Sequence, residues 1–66
     1  MFPNYLAKVA EQLCRARRNK EIAAELRLSE STVKQYVSKI FEICKVRNRT
    51  EFVIKYYKIY GETDPN

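Results

Sequence analysis

Apolar side chains recur along this chain at the three- and four-residue spacing of a helix face, with none of the period-2 alternation of a half-buried strand. Leu6, Val9, Ala10 and Leu13, flanked by Tyr5 and Cys14, form the first stripe and predict a helix over about residues 4–15. Pro3 and Asn4 mark its start, proline because it fits a first turn and asparagine as a good N-cap. A short second helix is predicted from Asn19, read as its cap, to near Arg27, with Ile22, Ala23 and Leu26 on its inner face. Ser29 and Glu30 then suit another helix start, a hydroxyl cap followed by an acid in the first turn. From there Val33, Tyr36, Val37, Ile40, Phe41 and Cys44 carry a helix over about residues 30–44, and its opposite face holds Ser31, Lys34, Gln35, Ser38 and Glu42. Val46 to Asn48 reads as a connection, after which a fourth helix starts near Arg49 or Thr50 and stops at Gly61.

Length and composition narrow what these helices can build. A chain of 66 residues makes one domain, and a domain of that size buries only about 60% of the surface its unfolded chain exposes. The one Gly and two Pro lie near the ends, so the interior is unbroken helix former. The expected fold is all-α, a compact four-helix domain over residues 1–61 containing a helix-turn-helix, with residues 62–66 as a disordered tail that has no apolar side chain to anchor it. Apolar runs are too short to span a membrane, and no secretory h-region follows the N-terminus, so a cytoplasmic setting with reduced thiols is expected.

Charge adds direction. The net charge of +5 is unevenly placed: residues 31–50 hold five Lys/Arg against one acid, and Arg15, Arg17, Arg18 and Lys20 follow one another with no acid between them. A localised positive field favours a polyanion, with nucleic acid ahead of a membrane surface.

Residues 19–38 fit the helix-turn-helix pattern, in which two helices cross at a fixed angle so that the second can enter a groove. The crossing needs a small residue, supplied by Ala23, and apolar inner positions, supplied by Ile22, Leu26, Leu28, Val33 and Tyr36. The turn usually carries Gly; here Arg27 stands in its place, which costs on the order of 1 kcal/mol in a left-handed conformation. The run Asn19-Lys20-Glu21-Ile22-Ala23, then Leu26, Leu28-Ser29-Glu30, Thr32-Val33-Lys34, Ile40, Val46 and Arg49-Thr50-Glu51, resembles the LuxR/GerE DNA-binding domain over about residues 9–56. Where that family has Gly after its first and third helices, this chain has Ala16 and Lys45.

The resemblance implies a transcriptional regulator that binds double-stranded DNA with the helix over about 30–44 in the major groove. Lys34, Gln35 and Ser38 match base-reading positions; Lys can donate to guanine O6/N7, and Gln can pair with adenine N6/N7. Lys20, Ser31 and Thr32 match phosphate-holding positions, and Arg47 and Arg49 are placed to reach the flanking backbone, although Arg49 has the alternative of an acid inside the domain. The fourth helix carries two apolar stripes, Phe52, Tyr56 and Ile59 in one and Val53, Tyr57 and Tyr60 in another about 100° away. One stripe suffices for the core. Since the family pairs through this helix, Val53, Tyr57 and Tyr60 are expected to form a homodimer surface, and the DNA site is expected to be an inverted repeat.

No His, no Cys with a partnered base and no phosphate loop are present, so neither an enzyme nor a cofactor is expected. Cys14 and Cys44 read as small core hydrophobes, with a redox switch as the alternative and no zinc site possible from one copy. A sigma-factor region 4-like module would need RNA polymerase as its partner, and a fused or separate sensor domain is a further possible partner. A small interaction protein that sequesters a LuxR-type regulator would keep the helices and the tyrosines but have no need of Lys34 and Gln35.

Overall fold

Among the described residues four helices form, and they lie where the apolar periodicity predicts. The computed structural model describes residues 2–60, with side chains through residue 57: α1 is Asn4–Cys14, α2 Asn19–Leu26, α3 Glu30–Cys44 and α4 Arg49–Tyr60. The expected end of the last helix at Gly61, and the tail at 62–66, lie outside the described residues.

The core takes one stripe from each helix. Leu6, Val9, Ala10 and Leu13 of α1 meet Ile22 and Ala23 of α2, Val33, Val37 and Ile40 of α3, and Phe52 of α4, all buried. α2 packs on α3 in the helix-turn-helix, and α1 lies against both α3 and α4. Aromatic rings extend the seam: Phe41 of α3 stands 6.1 Å from Phe52, which stands 5.5 Å from Tyr56, so the second half of α3 is tied to α4. At the other end Tyr5 meets Tyr36 edge-on with centroids 5.1 Å apart, joining the start of α1 to α3. Among the described residues one polar side chain enters this interior: Gln12 of α1 is 9% exposed, and its Oε1 accepts no hydrogen bond from them.

Three of the helix ends share one device. The N–H of Arg17 donates to the carbonyl of Gln12 at 3.3 Å, that of Leu28 to Ala23 at 2.8 Å, and that of Val46 to Phe41 at 3.0 Å. These are the six-to-one bonds of the Schellman motif, which needs a left-handed residue just before the donor. Ala16, Arg27 and Lys45 take that conformation, with φ of 60°, 58° and 58°. The three positions where glycine is usual and absent therefore keep the glycine geometry, with a Cβ in each.

The starts differ in detail from expectation. Asn4 and Asn19 are not caps but the first residues inside their helices, preceded by Pro3 and Arg18. The Pro3 carbonyl accepts from the N–H groups of Leu6 and Ala7 at 3.0 and 2.9 Å, and the Arg18 N–H donates to Glu21 Oε1 at 2.8 Å. Proline and arginine have no acceptor side chain for this task, which is why the polar neighbour drew the assignment. Ser29 does cap α3, its Oγ accepting from the Thr32 N–H at 3.0 Å.

Candidate nucleic-acid interface

The candidate reading surface begins with the rotation of α3 about its axis. Burial of Val33, Val37 and Ile40 leaves the opposite side to solvent, and Ser31, Lys34, Gln35, Ser38 and Lys39 are all exposed there. Lys34 and Ser38 sit one turn apart, with Gln35 beside them, so three hydrogen-bonding side chains project from one ridge. Its axial position is set by the Ser29 cap at one end and by Lys45 and Val46 at the other. Lys55 adds a fixed cation at that second end, donating from Nζ to the Cys44 carbonyl at 2.7 Å.

The start of α3 supplies a second kind of group. The Ser29 hydroxyl donates to Thr32 Oγ1 at 2.9 Å, so the proton of the half-buried Thr32 hydroxyl remains for an acceptor outside the helix. Ser31 lies exposed beside it, and the first-turn N–H groups, which have no partner within a helix, carry partial positive charge. Lys20 is exposed in the first turn of α2, and Arg47 is exposed in the connection before α4.

Arg49 is placed differently from Arg47. It is half-buried; its Nη1 donates to the carbonyl of Arg17 at 3.0 Å, and its Nη2 donates to Asn19 Oδ1. The internal alternative that the sequence offers Arg49 is an acid, but the acceptors are a main-chain carbonyl and an amide. The start of α4 differs from the expected one near Arg49 or Thr50 in having Asn48 as its cap. Asn48 Oδ1 accepts from the Glu51 N–H at 2.9 Å, while Glu51 Oε1 accepts from the Arg47 N–H at 2.8 Å. An Asn followed three residues later by Glu is a recognised start signal and was available in the sequence.

On α4, Phe52 is fully buried and Tyr56 half-buried, as one expected stripe requires. Of the second stripe, Val53 is half-buried against the core and Tyr57 is 66% exposed, while the side chain of Tyr60 lies outside the described residues, as does that of Ile59. Ile54, absent from either expected stripe, is 55% exposed. Leu13, Ala16 to Arg18, and Arg49, Thr50, Val53 and Ile54 line a shallow groove of about 440 Å³ between the end of α1 and the start of α4.

The two thiols are free and half-buried at the C-terminal ends of α1 and α3. Burial, with the charge of Cys44 adding to it, pushes Cys14 up to about 11. Burial also raises Cys44, against the opposing pull of the Lys55 ammonium. Among the described residues no group of three or more His, Cys, Asp or Glu gathers where it could hold a metal, and no helix is long and apolar enough to cross a membrane.

A short α2, a three-residue turn and a longer α3 with an exposed polar ridge define a helix-turn-helix domain. Residues 7–56 match the bacterial regulatory proteins of the luxR family, and the chain belongs to that family. It is 40% identical over 47 residues to a protein of Bacillus subtilis (strain 168) described as an uncharacterized transcriptional regulatory protein, YxjL. The match covers 71% of this chain and 22% of that relative's length. No solved structure matches.

Proposed function

We propose that this chain is a sequence-specific DNA-binding transcriptional regulator that lays α3 in the major groove. The observation that carries the reading is the exposed ridge of Lys34, Gln35 and Ser38, set directly opposite the buried Val33, Val37 and Ile40 in a luxR-family helix-turn-helix. Those three side chains read base edges, while Lys20, Ser31, Thr32 and Arg47 hold phosphates and fix the register. Val53, Tyr57 and Tyr60 pair two copies about a two-fold axis, so that the preferred site is an inverted repeat with half-sites about 34 Å apart. A partner of this kind puts the protein in the bacterial cytoplasm, at the nucleoid.

Selection of bound duplexes from a randomised pool tests the reading. The expected product is an inverted repeat whose affinity falls steeply with salt, because phosphate neutralisation releases counterions. Binding without sequence preference would remove the assigned base readers. A second reading, sequestration of another luxR-type regulator through α4, is favoured by the exposure of Ile54 and Tyr57. It predicts heterodimer formation with no salt-dependent binding to duplex DNA.

A further inference from the structure

We propose that Arg49 is a positioning residue: it sets the first turn of α2, and with it Lys20, against the DNA backbone, and does not itself hold a phosphate. The inference rests on the DNA-binding reading above. Its basis is the use already made of the guanidinium. Both terminal nitrogens donate within the domain, to the Arg17 carbonyl and to Asn19 Oδ1, and the side chain is half-buried between them. A planar fork satisfied on two acceptors has a fixed direction, which a lysine ammonium on a flexible stem would not reproduce.

What the fork holds is the entry to α2. Its two acceptors belong to residues 17 and 19, on either side of Arg18, whose own N–H is taken by Glu21 Oε1 at 2.8 Å. Three successive residues are thereby fixed, and Lys20 is the next one along. The other end of the clamp is equally constrained, since Arg49 opens α4 directly after the Asn48 cap, and Glu51 holds the Arg47 N–H. Segments 17–20 and 47–49 are therefore tied to each other, although 30 positions separate Asn19 from Arg49 in the chain. Both acceptors are neutral, so the positive charge of Arg49 is retained and still contributes to the field over the α2 entry.

Three substitutions separate positioning from direct contact, read as duplex affinity over a salt series with the full chain. Arg49→Lys keeps the charge and loses the fork. Asn19→Ala removes one acceptor and leaves Arg49 intact. Lys20→Ala removes the group to be positioned. If Arg49 positions, both Arg49→Lys and Asn19→Ala lower affinity on the order of threefold to tenfold and reduce the salt slope toward that of Lys20→Ala. Neither should lower it further when combined with Lys20→Ala.

A direct phosphate contact gives the opposite pattern: wild-type affinity and slope for Arg49→Lys, unchanged or tighter binding for Asn19→Ala, and additive losses with Lys20→Ala. Any of these overturns the inference. Thermal melting by circular dichroism establishes that each variant is folded; should Arg49→Lys melt below the assay temperature, Asn19→Ala carries the test. Loss of affinity with the wild-type salt slope and no coupling to Lys20 would mean a merely structural role and also overturns it. A wild-type chain without salt-dependent duplex binding would remove the DNA reading itself, a result distinct from binding in which Arg49 and Lys20 act independently.

Discussion

Arg49 donates to the carbonyl oxygen of Arg17 at 3.0 Å, closing a loop of 32 positions along the chain. The bond joins the first residue of α4 to the turn that precedes α2, and so links the two basic segments that lie outside α3. It leaves Lys34, Gln35 and Ser38 as an independent group on their own ridge. The two groups should respond differently to substitution.

Lys34→Ala and Gln35→Ala are expected to relax sequence preference at one or two base pairs each, at about 1–3 kcal/mol per side chain. Lys20→Ala is expected to weaken binding to all sequences alike and to lower the salt slope by about one unit. Affinities for a selected and a scrambled duplex over a salt series check this. Equal losses on both duplexes for all three variants would contradict the division of roles.

A charge at Tyr57 is expected to abolish cooperative filling of two half-sites while leaving the fold and single half-site binding intact. Tyr57 is 66% exposed, so Tyr57→Glu disturbs little of the core. Paired helices raise the effective concentration for the second half-site, and the substitution should remove that gain. Titrations against one and two half-sites in gel-shift format measure it. Cooperative filling by Tyr57→Glu would place the pairing surface elsewhere.

The left-handed residues offer a test of stability. Ala16, Arg27 and Lys45 each hold a Cβ where φ is near 60°. Replacement by glycine relieves that strain but loosens the unfolded chain, leaving a gain of up to about 1 kcal/mol per site. In a domain this small such a gain raises the melting temperature by about 4–8 °C. A lower melting temperature for Ala16→Gly would show that the strain is smaller than the entropy of the added glycine.

Gln12 gives a prediction of the same sign from a different cause. Its Oε1 is buried without a protein partner, and an unsatisfied amide costs about 1–3 kcal/mol. Gln12→Met, close to it in shape, is expected to raise the denaturation midpoint without changing the slope in denaturant. An unchanged or lower midpoint would mean that the amide is satisfied in solution by ordered water.

Alkaline pH should expose the state of Cys14. Its thiol is held up at about 11, so the folded state keeps a proton that the unfolded chain, with an ordinary thiol near 9.0, releases first. Stability contributed in this way is complete below pH about 9 and is lost as pH rises toward 11. Cys14→Ala should flatten that part of the stability curve, whereas Cys44→Ala should also ease it by removing the neighbouring charge that raises Cys14. Rapid alkylation of Cys14 at neutral pH in the native state would contradict the shift.

The parts of this fold that were legible in the sequence are those written as periodicity. Val33, Val37 and Ile40 recur at helical spacing, and that alone fixes which side of α3 faces outward. Ser29 was legible as a cap because a hydroxyl before an apolar stripe has few other uses. Arg49 was not. A long cationic side chain carries no local signature of its direction, and whether it points to solvent or to a carbonyl 32 residues away depends on how the helices pack. The half-burial of Val53 was hidden for a related reason: two stripes 100° apart compete for one core, and only the position of α1 decides between them.

The three connections, residues 15–18, 27–29 and 45–48, contain three or four residues each, and every one begins by closing a six-to-one bond onto the helix before it. Such corners ask for a left-handed backbone angle, and Ala16, Arg27 and Lys45 meet it with a methyl, a guanidinium and an ammonium side chain. The helices between them are far less forgiving of length. One residue added inside the first turns of α3 would rotate the part of the helix beyond it by about 100° and send Val37 and Ile40 to the wrong side. An exchange of letters at the corners therefore leaves the packed stripes in register, whereas an insertion or deletion within a helix does not.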